Sequence, residues 1–523
     1  MAFDPPLKGR YWFTVTLVLL ALVPDLLLNT ATPLLRMPIV AALHTTTPRF
    51  NLGDTFSNAG WAFGAVLAAD FFQRFGQRRP LLIYEAVFVI GSILGAVAPD
   101  VWYLVAGRIL QGTATGMMLV AALPPLITTY SVKRLTTTAA VAGLALFGAV
   151  AAGPLVAGYV AYTNTWRWFF AAVALLGLLG FIVQFLAVEP KPAPNPGLRF
   201  DLPGIALTAL GAGLTFAGVG ELSMYPWTSL GVWLPTALGL LTIVTLLVME
   251  YYVKDPLMPV KLLVSTFPLI GIVSAVLSGL VFTGLTELFL IYVQQVDGYS
   301  PLLTGLVYWP ALVTAVAASL LFGRLFNTRY VLVLPLSGMT ALLAVAWIMT
   351  TLTTHTGRGE LFWIAFLLGA GAGLTVSPGL FIAALSVSPK LVGRAFSVVE
   401  TLRLAGAYAL APAFVYFAEI FGMTPQKLVL GMHTVFWVSV GIMAVTMAIT
   451  TVLFFLGGAR LHAPDLSGYL ERQEGAFESP RLADVARGPD TVGASIARGV
   501  HSLLPTEDTG RDQEKQDRQE RQG

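Results

Sequence analysis

Long apolar stretches separated by short polar loops dominate this chain. A stretch that crosses a hydrocarbon core of about 30 Å needs about 20 residues of helix. Helix is the predicted conformation because a segment crossing lipid must satisfy its backbone hydrogen bonds internally. The fourteen predicted spans are 11–32, 52–73, 80–98, 101–125, 136–160, 167–188, 203–221, 229–250, 267–293, 303–323, 331–352, 361–387, 395–420 and 431–456.

The loops between these spans alternate in positive charge. With the N-terminus in the cytoplasm, every loop on the cytoplasmic side carries Lys or Arg, whereas the opposite loops at 99–100, 222–228 and 294–302 carry none. Positively charged loops favour the cytoplasmic side. The alternation therefore predicts an even number of spans and two cytoplasmic termini.

The spans divide into two groups of six. Residues 1–188 and 267–456 form the two predicted six-helix bundles, and residues 189–266 contain a linker followed by two inserted spans. The linker has four prolines between positions 190 and 196, which predicts a stiff, extended segment. Residues 457–523 are hydrophilic and predict a disordered cytoplasmic tail.

Composition limits the class of protein. Of the 523 residues, 56% are hydrophobic and only 11% are charged, against about 25% charged in a soluble domain. The chain is therefore expected to be an all-α integral membrane protein. It has no cysteine and five histidines, so neither a metal site nor a cofactor is expected, and a net charge of +3 does not indicate a nucleic-acid partner.

Motifs of soluble enzymes are not found. The chain lacks a phosphate-binding loop, an HExxH motif and a GxSxG motif. We therefore do not expect an enzyme, and transport by this chain would draw its energy from an ion gradient or from the gradient of the substrate.

Charged residues inside the spans are candidates for function because they are costly in a membrane. Asp25 in span 1 and Arg108 in span 4 lie at similar depth and are predicted to pair. Glu85 and Glu287 are further deep acids, whereas Glu419 lies near an outer end and is predicted to be interfacial. The alternative for Asp25 and Arg108 is a helix-end carboxylate or a structural ion pair.

One face of span 4 is polar. Arg108, Gln111 and Thr115 fall on one helical face together with two glycines. Such a stripe faces the interior of a bundle or a cavity. Gln111 and Thr115, with Asn29 of span 1, are therefore candidate cavity residues.

Span 13 carries a second charged pair. Glu400 and Arg403 are three residues apart and can contact each other on one helical face. They are candidates for proton coupling, with a structural salt bridge as the alternative.

Span 5 contains a stretch rich in small residues at 148–158. Gly148, Gly153, Pro154 and Gly158 allow close helix packing, and the proline permits a bend. The stretch predicts a hinge or seal between the bundles, with an ordinary packing helix as the alternative.

A tight basic loop joins spans 2 and 3. It contains Arg74, Gly76 and Arg78, and a second basic segment at 324–329 occupies the equivalent place between spans 10 and 11. The matched positions indicate an internal repeat with a gating role, although positive-inside anchoring alone accounts for the charges.

These motifs together resemble the major facilitator superfamily, in particular its fourteen-span drug:proton antiporter branch. The resemblance covers about residues 10–456 and is carried by several segments. They are the Arg-x-x-Gln-Gly of span 4, the Gly-x4-Gly-Pro-x3-Gly of span 5, Trp166-Arg167-Trp168-Phe169-Phe170 and the segment 294–310. In the loop before span 3 the usual aspartate is replaced by Gln73, and Asp70 lies three positions earlier.

The resemblance implies a major facilitator fold with two rocking bundles and two inserted helices. It implies a secondary transporter that exports amphipathic drugs or small molecules in exchange for protons, with Asp25, Arg108, Glu287, Glu400 and Arg403 in proton coupling. The implied location is the bacterial inner membrane. The loop resembles exporters that work with a periplasmic adaptor and an outer-membrane channel, so these join the lipid bilayer, protons and a small-molecule substrate as implied partners.

Three alternatives remain open at this level. One is an exporter or importer of a specific metabolite or siderophore in the same superfamily. Another is a polytopic membrane enzyme, which would need acids and histidines clustered at one membrane face. The third is a sensor or scaffold that signals through its 457–523 tail.

Overall fold

Fourteen long helices account for most of the described residues. The computed structural model describes residues 5–480 except 191, 194–196, 198–199, 254–255 and 257. In chain order the long helices of this part are α1 (Tyr11–Ala42), α2 (Thr47–Phe75), α3 (Arg78–Val97), α4 (Val101–Thr128), α5 (Val132–Thr163), α6 (Trp166–Ala187), α7 (Leu202–Ser223), α8 (Leu230–Tyr252), α9 (Thr266–Val296), α10 (Pro301–Leu325), α11 (Arg329–Met349), α12 (Arg358–Leu385), α13 (Pro389–Glu419) and α14 (Pro425–Leu456).

The helices of the described residues support a membrane protein. Thirteen of them, all except α2, are long and apolar enough to cross a membrane. The exception has 29 residues, but charged and amide side chains are spread along it and lower its mean hydropathy. The expected fourteenth span therefore remains a prediction for α2, as do the cytoplasmic termini.

The first helix extends ten residues beyond its predicted end. It continues to Ala42 with Pro24, Pro33 and Pro38 inside it. In water these prolines would interrupt a helix. In lipid no water competes for the freed backbone groups, and neighbouring helices support the chain.

Two faces of the molecule can be defined from contacts near the chain ends. At the start of α1 the Tyr11 hydroxyl lies 3.2 Å from Thr138 Oγ1, near the start of α5. After the end of α14, Gly457 O accepts a hydrogen bond from Thr266 Oγ1 at 2.7 Å. We call this side the terminal face and the opposite side the distal face.

The helices pack as two groups of six that meet along two seams. The helices α1 to α6 contact one another, and α9 to α14 form the second group. One seam joins α5 to α10, and the other joins α2 to α13. We refer to the groups as the N-bundle and the C-bundle.

The inserted helices lie over the α2–α13 seam. The helix α7 contacts α8, α2 and α13. Its residues Ala212 and Phe216 form an apolar cluster with Ala59 and Ala62 of α2. Closer to the distal face, the backbone nitrogen of Trp227 donates to Tyr416 Oη of α13 at 3.3 Å. The inserted pair therefore contacts both bundles.

The segment after α14 differs from the expected disorder. Residues 457–480 cross the terminal face of the C-bundle, and the remainder of the predicted tail lies outside the described residues. Ala476 N donates to Leu385 O at 2.7 Å, and Thr266 N donates to Pro480 O at 3.1 Å. Tyr469 and Phe477 are buried, so two aromatic anchors hold a segment of polar composition. We call residues 457–480 the strap.

Candidate functional site

The guanidinium of Arg108 lies at the centre of a cluster of polar side chains in the N-bundle. Arg108 is about two turns inside the distal end of α4 and is only 2% exposed. Its guanidinium donates to Asp54 Oδ1 at 3.0 and 3.2 Å, and to Asp25 Oδ1 at 3.4 Å. Two carboxylates from two different helices therefore hold one buried cation.

Amide side chains complete this cluster. Asn29 Oδ1 accepts from Arg108 Nη2 at 3.1 Å, and Gln111 Oε1 accepts from Nη1 at 3.4 Å. The amide nitrogens donate onward, from Asn29 to Asn58 Oδ1 at 3.2 Å and from Gln111 to Ser92 Oγ at 2.9 Å. The network therefore ties α1, α2, α3 and α4 together around the guanidinium.

The third predicted cavity residue lies beside this network. Thr115 is buried on the same face of α4, and its hydroxyl donates to Gln111 O at 3.0 Å. The predicted pairing of Asp25 with Arg108 is thus present, and the three residues predicted to line a cavity lie beside it. Their role in a cavity stays a prediction.

Two predicted acids lie elsewhere. Glu287 on α9 pairs with Arg36 of α1, with 3.6 Å between Oε1 and Nη2. Glu85 is buried in the terminal half of the N-bundle, where its Oε2 accepts from Gln184 Nε2 at 2.5 Å. The predicted interfacial Glu419 is the last residue of α13, at the distal face.

The charged pair on α13 forms as expected. Arg403 Nη2 lies 2.6 Å from Glu400 Oε2, and Arg403 Nε reaches the two carboxylate oxygens at 3.1 and 3.2 Å. The arginine stem packs against Gly279 of α9, where a Cβ would lie 3.1 Å from Arg403 Cγ. The pair therefore sits inside the C-bundle, on the helix that faces α2.

The small-residue stretch of α5 contacts both bundles. A Cβ at Gly153 would overlap Thr30 of α1 in the N-bundle. A Cβ at Gly158 would lie 2.6 Å from Pro301 O of α10, and one at Gly305 would lie 2.5 Å from Pro154 O. The stretch therefore forms part of the α5–α10 seam on one side and packs on α1 on the other.

A π-helical turn interrupts α5 immediately before this stretch. It covers Leu144–Gly148, and a Cβ at Gly148 would meet only Leu144, at 3.7 Å. Such turns in α-helices occur frequently at functional sites. Gly148 thus belongs to a local irregularity with free space beside it.

The basic loop closes the terminal ends of α2 and α3. Gly76 ends α2 with φ +70°, a conformation that favours glycine. Arg74 Nε donates to Asp70 Oδ2 at 3.0 Å, and Arg78 Nη2 donates to Phe185 O at 3.0 Å. Asp70 also lies within electrostatic reach of Arg394 on α13. The displaced aspartate therefore joins the loop to the α2–α13 seam.

A cavity of about 280 Å³ opens between the bundles at the terminal face. Its walls come from the ends of α2 and α4 and from the start of α13, and include Phe72, Val120, Pro124, Val392 and Gly393. Space between the bundles is thus present on the same side as the basic loop.

Sequence reasoning missed Asp54 and Arg36. Span 2 was expected to start at residue 52, which placed Asp54 at its edge, but α2 starts at Thr47 and brings Asp54 about two turns inside. Arg36 lay beyond the expected end of span 1 and is inside α1. The sequence gives no clear local signal for the extension of α1, because Pro33 and Pro38 stand in it.

The comparisons with known proteins agree with this architecture. The family profile described as Major Facilitator Superfamily matches residues 17–412. The chain belongs to the major facilitator superfamily. It is therefore a transporter of that superfamily and a multi-pass membrane protein.

Named relatives within the superfamily include drug-resistance proteins. The MFS-type transporter YubD of Bacillus subtilis (strain 168) is 26% identical over 82% of this chain and 86% of its own length. The puromycin resistance protein pur8 of Streptomyces alboniger is 31% identical over 66% of this chain and 70% of its own length. The crystal structure of the human organic anion transporter MFSD10 has a TM-score of 0.58 at 16% identity. That match covers 85% of this chain and all of the other chain, and shows the fold alone.

Proposed function

We propose that this transporter exports amphipathic small molecules, including drugs, in exchange for protons by alternating access. The observation that carries the proposal is the buried guanidinium of Arg108 held by Asp25 and Asp54. The names of the relatives, among them pur8 and the probable multidrug resistance protein EmrY of Escherichia coli (strain K12), favour drug-like substrates.

The cluster gives a simple route from a proton to a conformational change. A proton on Asp25 or Asp54 removes one of the two charges that hold Arg108, so the guanidinium is released from one helix. Asp25 is on α1, which packs on α5, and Asp54 is on α2, which forms a seam with α13. A proton is therefore able to change how α1 and α2 sit against α4.

The proton gradient supplies the energy under this proposal. One proton crossing about 100 mV yields about 2.3 kcal/mol. This sustains a substrate gradient of roughly fiftyfold, since about 1.4 kcal/mol corresponds to a factor of ten. A greater accumulation requires more than one proton or a pH difference.

The other predicted residues take supporting roles in this scheme. We assign Glu287, Glu400 and Arg403 to the coupling network because they are charged residues at or near bundle interfaces. Arg74, Gly76 and Arg78 gate the terminal face, and Gly148, Gly153, Pro154 and Gly158 allow α5 to move against α1 and α10. We assign Asn29, Gln111 and Thr115, which lie beside Arg108, to the substrate path.

We also propose a bacterial inner-membrane location with the terminal face in the cytoplasm. The resemblance of the basic loop extends the proposal to a periplasmic adaptor and an outer-membrane channel as partners. Dye flux in everted vesicles tests the direction, because an importer of the same superfamily carries its substrate the opposite way.

The test is pH-driven transport by the purified chain in proteoliposomes. The Asp25→Asn variant is expected to bind a fluorescent cationic or neutral drug but to lose transport driven by an imposed pH gradient. Asp54→Asn is measured beside it to separate the two acids. Glu360→Gln serves as the control because it neutralises an exposed carboxylate at the start of α12.

The outcome for Asp25 decides its role. If Asp25→Asn still couples transport to the proton gradient as the wild type does, then Asp25 is not the proton carrier. If the wild type shows no pH-driven flux of any drug tested, proton-coupled drug export itself is wrong.

A further inference from the structure

The five N–H groups of the buried guanidinium all have acceptors. Nε and Nη2 of Arg108 donate to Asp54 Oδ1 at 3.2 and 3.0 Å, and Nη2 also donates to Asn29 Oδ1 at 3.1 Å. Nη1 donates to Asp25 Oδ1 and to Gln111 Oε1, both at 3.4 Å. A guanidinium has five donors, so this set is complete. Asp25 and Gln111 therefore share one nitrogen, and its two hydrogen bonds are the longest in the set.

The amide of Gln111 is the remaining acceptor at Nη1 when Asp25 takes up a proton. A protonated carboxyl no longer attracts the guanidinium, and an N–H group left without an acceptor inside the bundle costs free energy. The amide prevents that loss only if its oxygen, and not its nitrogen, faces Arg108. The orientation of this amide therefore matters most in the protonated state of the cluster.

Ser92 of α3 fixes the orientation of the amide. Its hydroxyl is fully buried and donates its single proton to Phe88 O at 2.8 Å, one turn earlier on the same helix. Because that proton is in use, the Ser92 oxygen can only accept. Gln111 Nε2 donates to it at 2.9 Å, which leaves Gln111 Oε1 directed at Arg108. A turned amide would place its oxygen against the Ser92 oxygen and its nitrogen against a cation.

Close packing of α3 on α4 holds this relay in place. A Cβ at Gly91, next to Ser92, would lie 2.6 Å from Gly107 O, next to Arg108. A Cβ at Gly107 would likewise lie 2.6 Å from Gly91 O. The two glycines thus bring the helix backbones together beside the relay. The distance between Ser92 and Gln111 is therefore set by backbone packing.

We propose that Ser92 is a positioning residue of the proton-coupling cluster and acts through the Gln111 amide. It keeps an acceptor on Arg108 Nη1 when a proton on Asp25 withdraws the carboxylate, so it lowers the free-energy cost of protonating Asp25. This inference rests on the proposed proton-coupled function and names a residue that sets the pH at which the cluster responds.

The relay itself is uncharged, whereas its surroundings are not. Among the described residues, the charged side chains that face Arg108 and its two acids from α1, α2 and α9 are Asp25, Arg36, Asp54 and Glu287. Replacing Ser92 or Gln111 by an uncharged residue leaves the net charge of this group unchanged. A shift in the pH response then reports hydrogen bonding and not a change in charge.

Infrared spectroscopy of the full chain in proteoliposomes measures the proton on Asp25 directly. The C=O band of the protonated carboxyl is assigned by its loss in Asp25→Asn, and the pH at which it reaches half its intensity is the reference. Ser92→Ala is expected to move this midpoint to lower pH by about one to two units, which corresponds to one hydrogen bond to a charged group.

Further variants separate positioning from a general loss of packing. Gln111→Leu is expected to move the midpoint in the same direction, and adding Ser92→Ala to it is expected to cause no further shift, because the two changes remove the same acceptor. Ser92→Thr keeps the hydroxyl and is expected to restore most of the wild-type midpoint. The control is Ser439→Ala on α14, since Ser439 is fully buried and donates to Val435 O at 2.9 Å in the same way.

The results distinguish this inference from the proposed function. If Ser92→Ala keeps the wild-type midpoint, or shifts it equally in the Gln111→Leu background, Ser92 does not act through Gln111, whatever the transport assay shows. If no Asp25 band titrates in the wild type, the amide has no protonated state to support and the inference also fails. If the midpoints move as expected but the wild type shows no pH-driven drug flux, the positioning role stands and the proposed drug export fails.

Discussion

At the scale of single residues, the N-bundle depends on one charge that is expensive to bury. Removing one partner of a buried ion pair typically costs about 3–5 kcal/mol, because the remaining charge loses its compensation. Arg108 has two carboxylate partners, so a proton on one acid leaves the other in place. This arrangement permits a charge change in the bundle without leaving the cation unpaired.

A substitution of Gly153 tests the packing of α5 at this scale. Gly153→Leu is expected to insert and fold but to lose coupled transport or to leak protons, because a side chain there overlaps Thr30 and separates α5 from α1. Flux of drug and protons in proteoliposomes checks this. Gly213→Leu is the control, since nothing lies within 4 Å of a Cβ at that position.

The smaller variant Gly153→Ala, made with and without Thr30→Ala, tests whether overlap with Thr30 causes the loss of coupled transport. Thr30→Ala removes the hydroxyl that a Cβ at Gly153 would overlap but leaves the Cβ of residue 30 at 2.8 Å, so the double variant is expected to regain coupling only in part. Normal coupling in Gly153→Leu would show that residues 148–158 of α5 form an ordinary packing helix and not a hinge or seal.

The candidate site was predictable from the sequence only in part. Asp25 and Arg108 were predicted to pair because they lie at similar depth in their spans. Helical periodicity placed Gln111 and Thr115 on the same face as Arg108. Asp54 and Arg36 were not predictable in this way. Their inclusion depends on how far α1 and α2 continue as helix near the distal face, and tertiary packing rather than local hydropathy sets those ends.

At the scale of elements, the strap shows how few residues are needed to order a polar segment. Phe477 lies 5.8 Å from Phe267 between ring centroids, and His462 lies 5.5 Å from the same ring. A short helix, Leu466–Glu471, contacts the start of α5 in the N-bundle. The strap therefore connects the terminal face of the C-bundle with that of the N-bundle.

The anchors of the strap are expected to control its local stability. Tyr469→Ala removes a fully buried aromatic side chain, a change that typically costs about 3–5 kcal/mol. The loss is expected to appear as local opening, with amide exchange in residues 457–480 accelerated at least a hundredfold. Hydrogen exchange with mass spectrometry measures this.

The matched control for the strap is Tyr252→Ala. Tyr252 is 79% exposed at the end of α8, so its removal is expected to leave exchange in 457–480 unchanged. Equal exchange in the Tyr469→Ala variant and the wild type would show that the Tyr469 side chain does not hold the strap.

At the scale of the whole molecule, movement must be concentrated at the two seams. The terminal ends of α4 and α13 approach closely, with a Cβ at Gly393 3.9 Å from Val120 Cγ1. A covalent link at this place would hold the terminal face of the two bundles together. Alternating access predicts that such a link stops the transport cycle.

A disulfide tests this prediction in a chain that has no cysteine of its own. Val120→Cys with Gly393→Cys is expected to lose nearly all transport after oxidation and to regain it after reduction. The control is Val89→Cys with Gly177→Cys, which links α3 to α6 inside the N-bundle, where a Cβ at Gly177 lies 3.1 Å from Val89 Cγ2. If oxidation stops transport in this control but not in the Val120→Cys with Gly393→Cys variant, the result contradicts the rocking of intact bundles.

The overall fold was predictable because apolar stretches of membrane-spanning length and positively charged loops recur along the whole chain. The length of each apolar stretch predicted a helix, and the positive loops predicted an even number. The folded part of the tail was not predictable, because its composition is polar and its order depends on a few contacts such as Ala476 with Leu385. Sequence reasoning likewise gave no sign that α7 contacts both α2 and α13.

The position of α7 and α8 also bears on how a substrate reaches the interior. An amphipathic molecule dissolves in the bilayer and arrives from the side. On one flank α7 covers the line between α2 and α13, so a lipid-dissolved molecule has no direct lateral entrance there. On the other flank, Gly158 and Gly305 bring α5 and α10 into backbone contact near the distal face. In the terminal half of this flank, a Cβ at Gly323 of α10 would lie 2.8 Å from Thr136 O of α5, so the two helices are in close contact there as well. Lateral entry on this flank therefore requires α5 and α10 to separate.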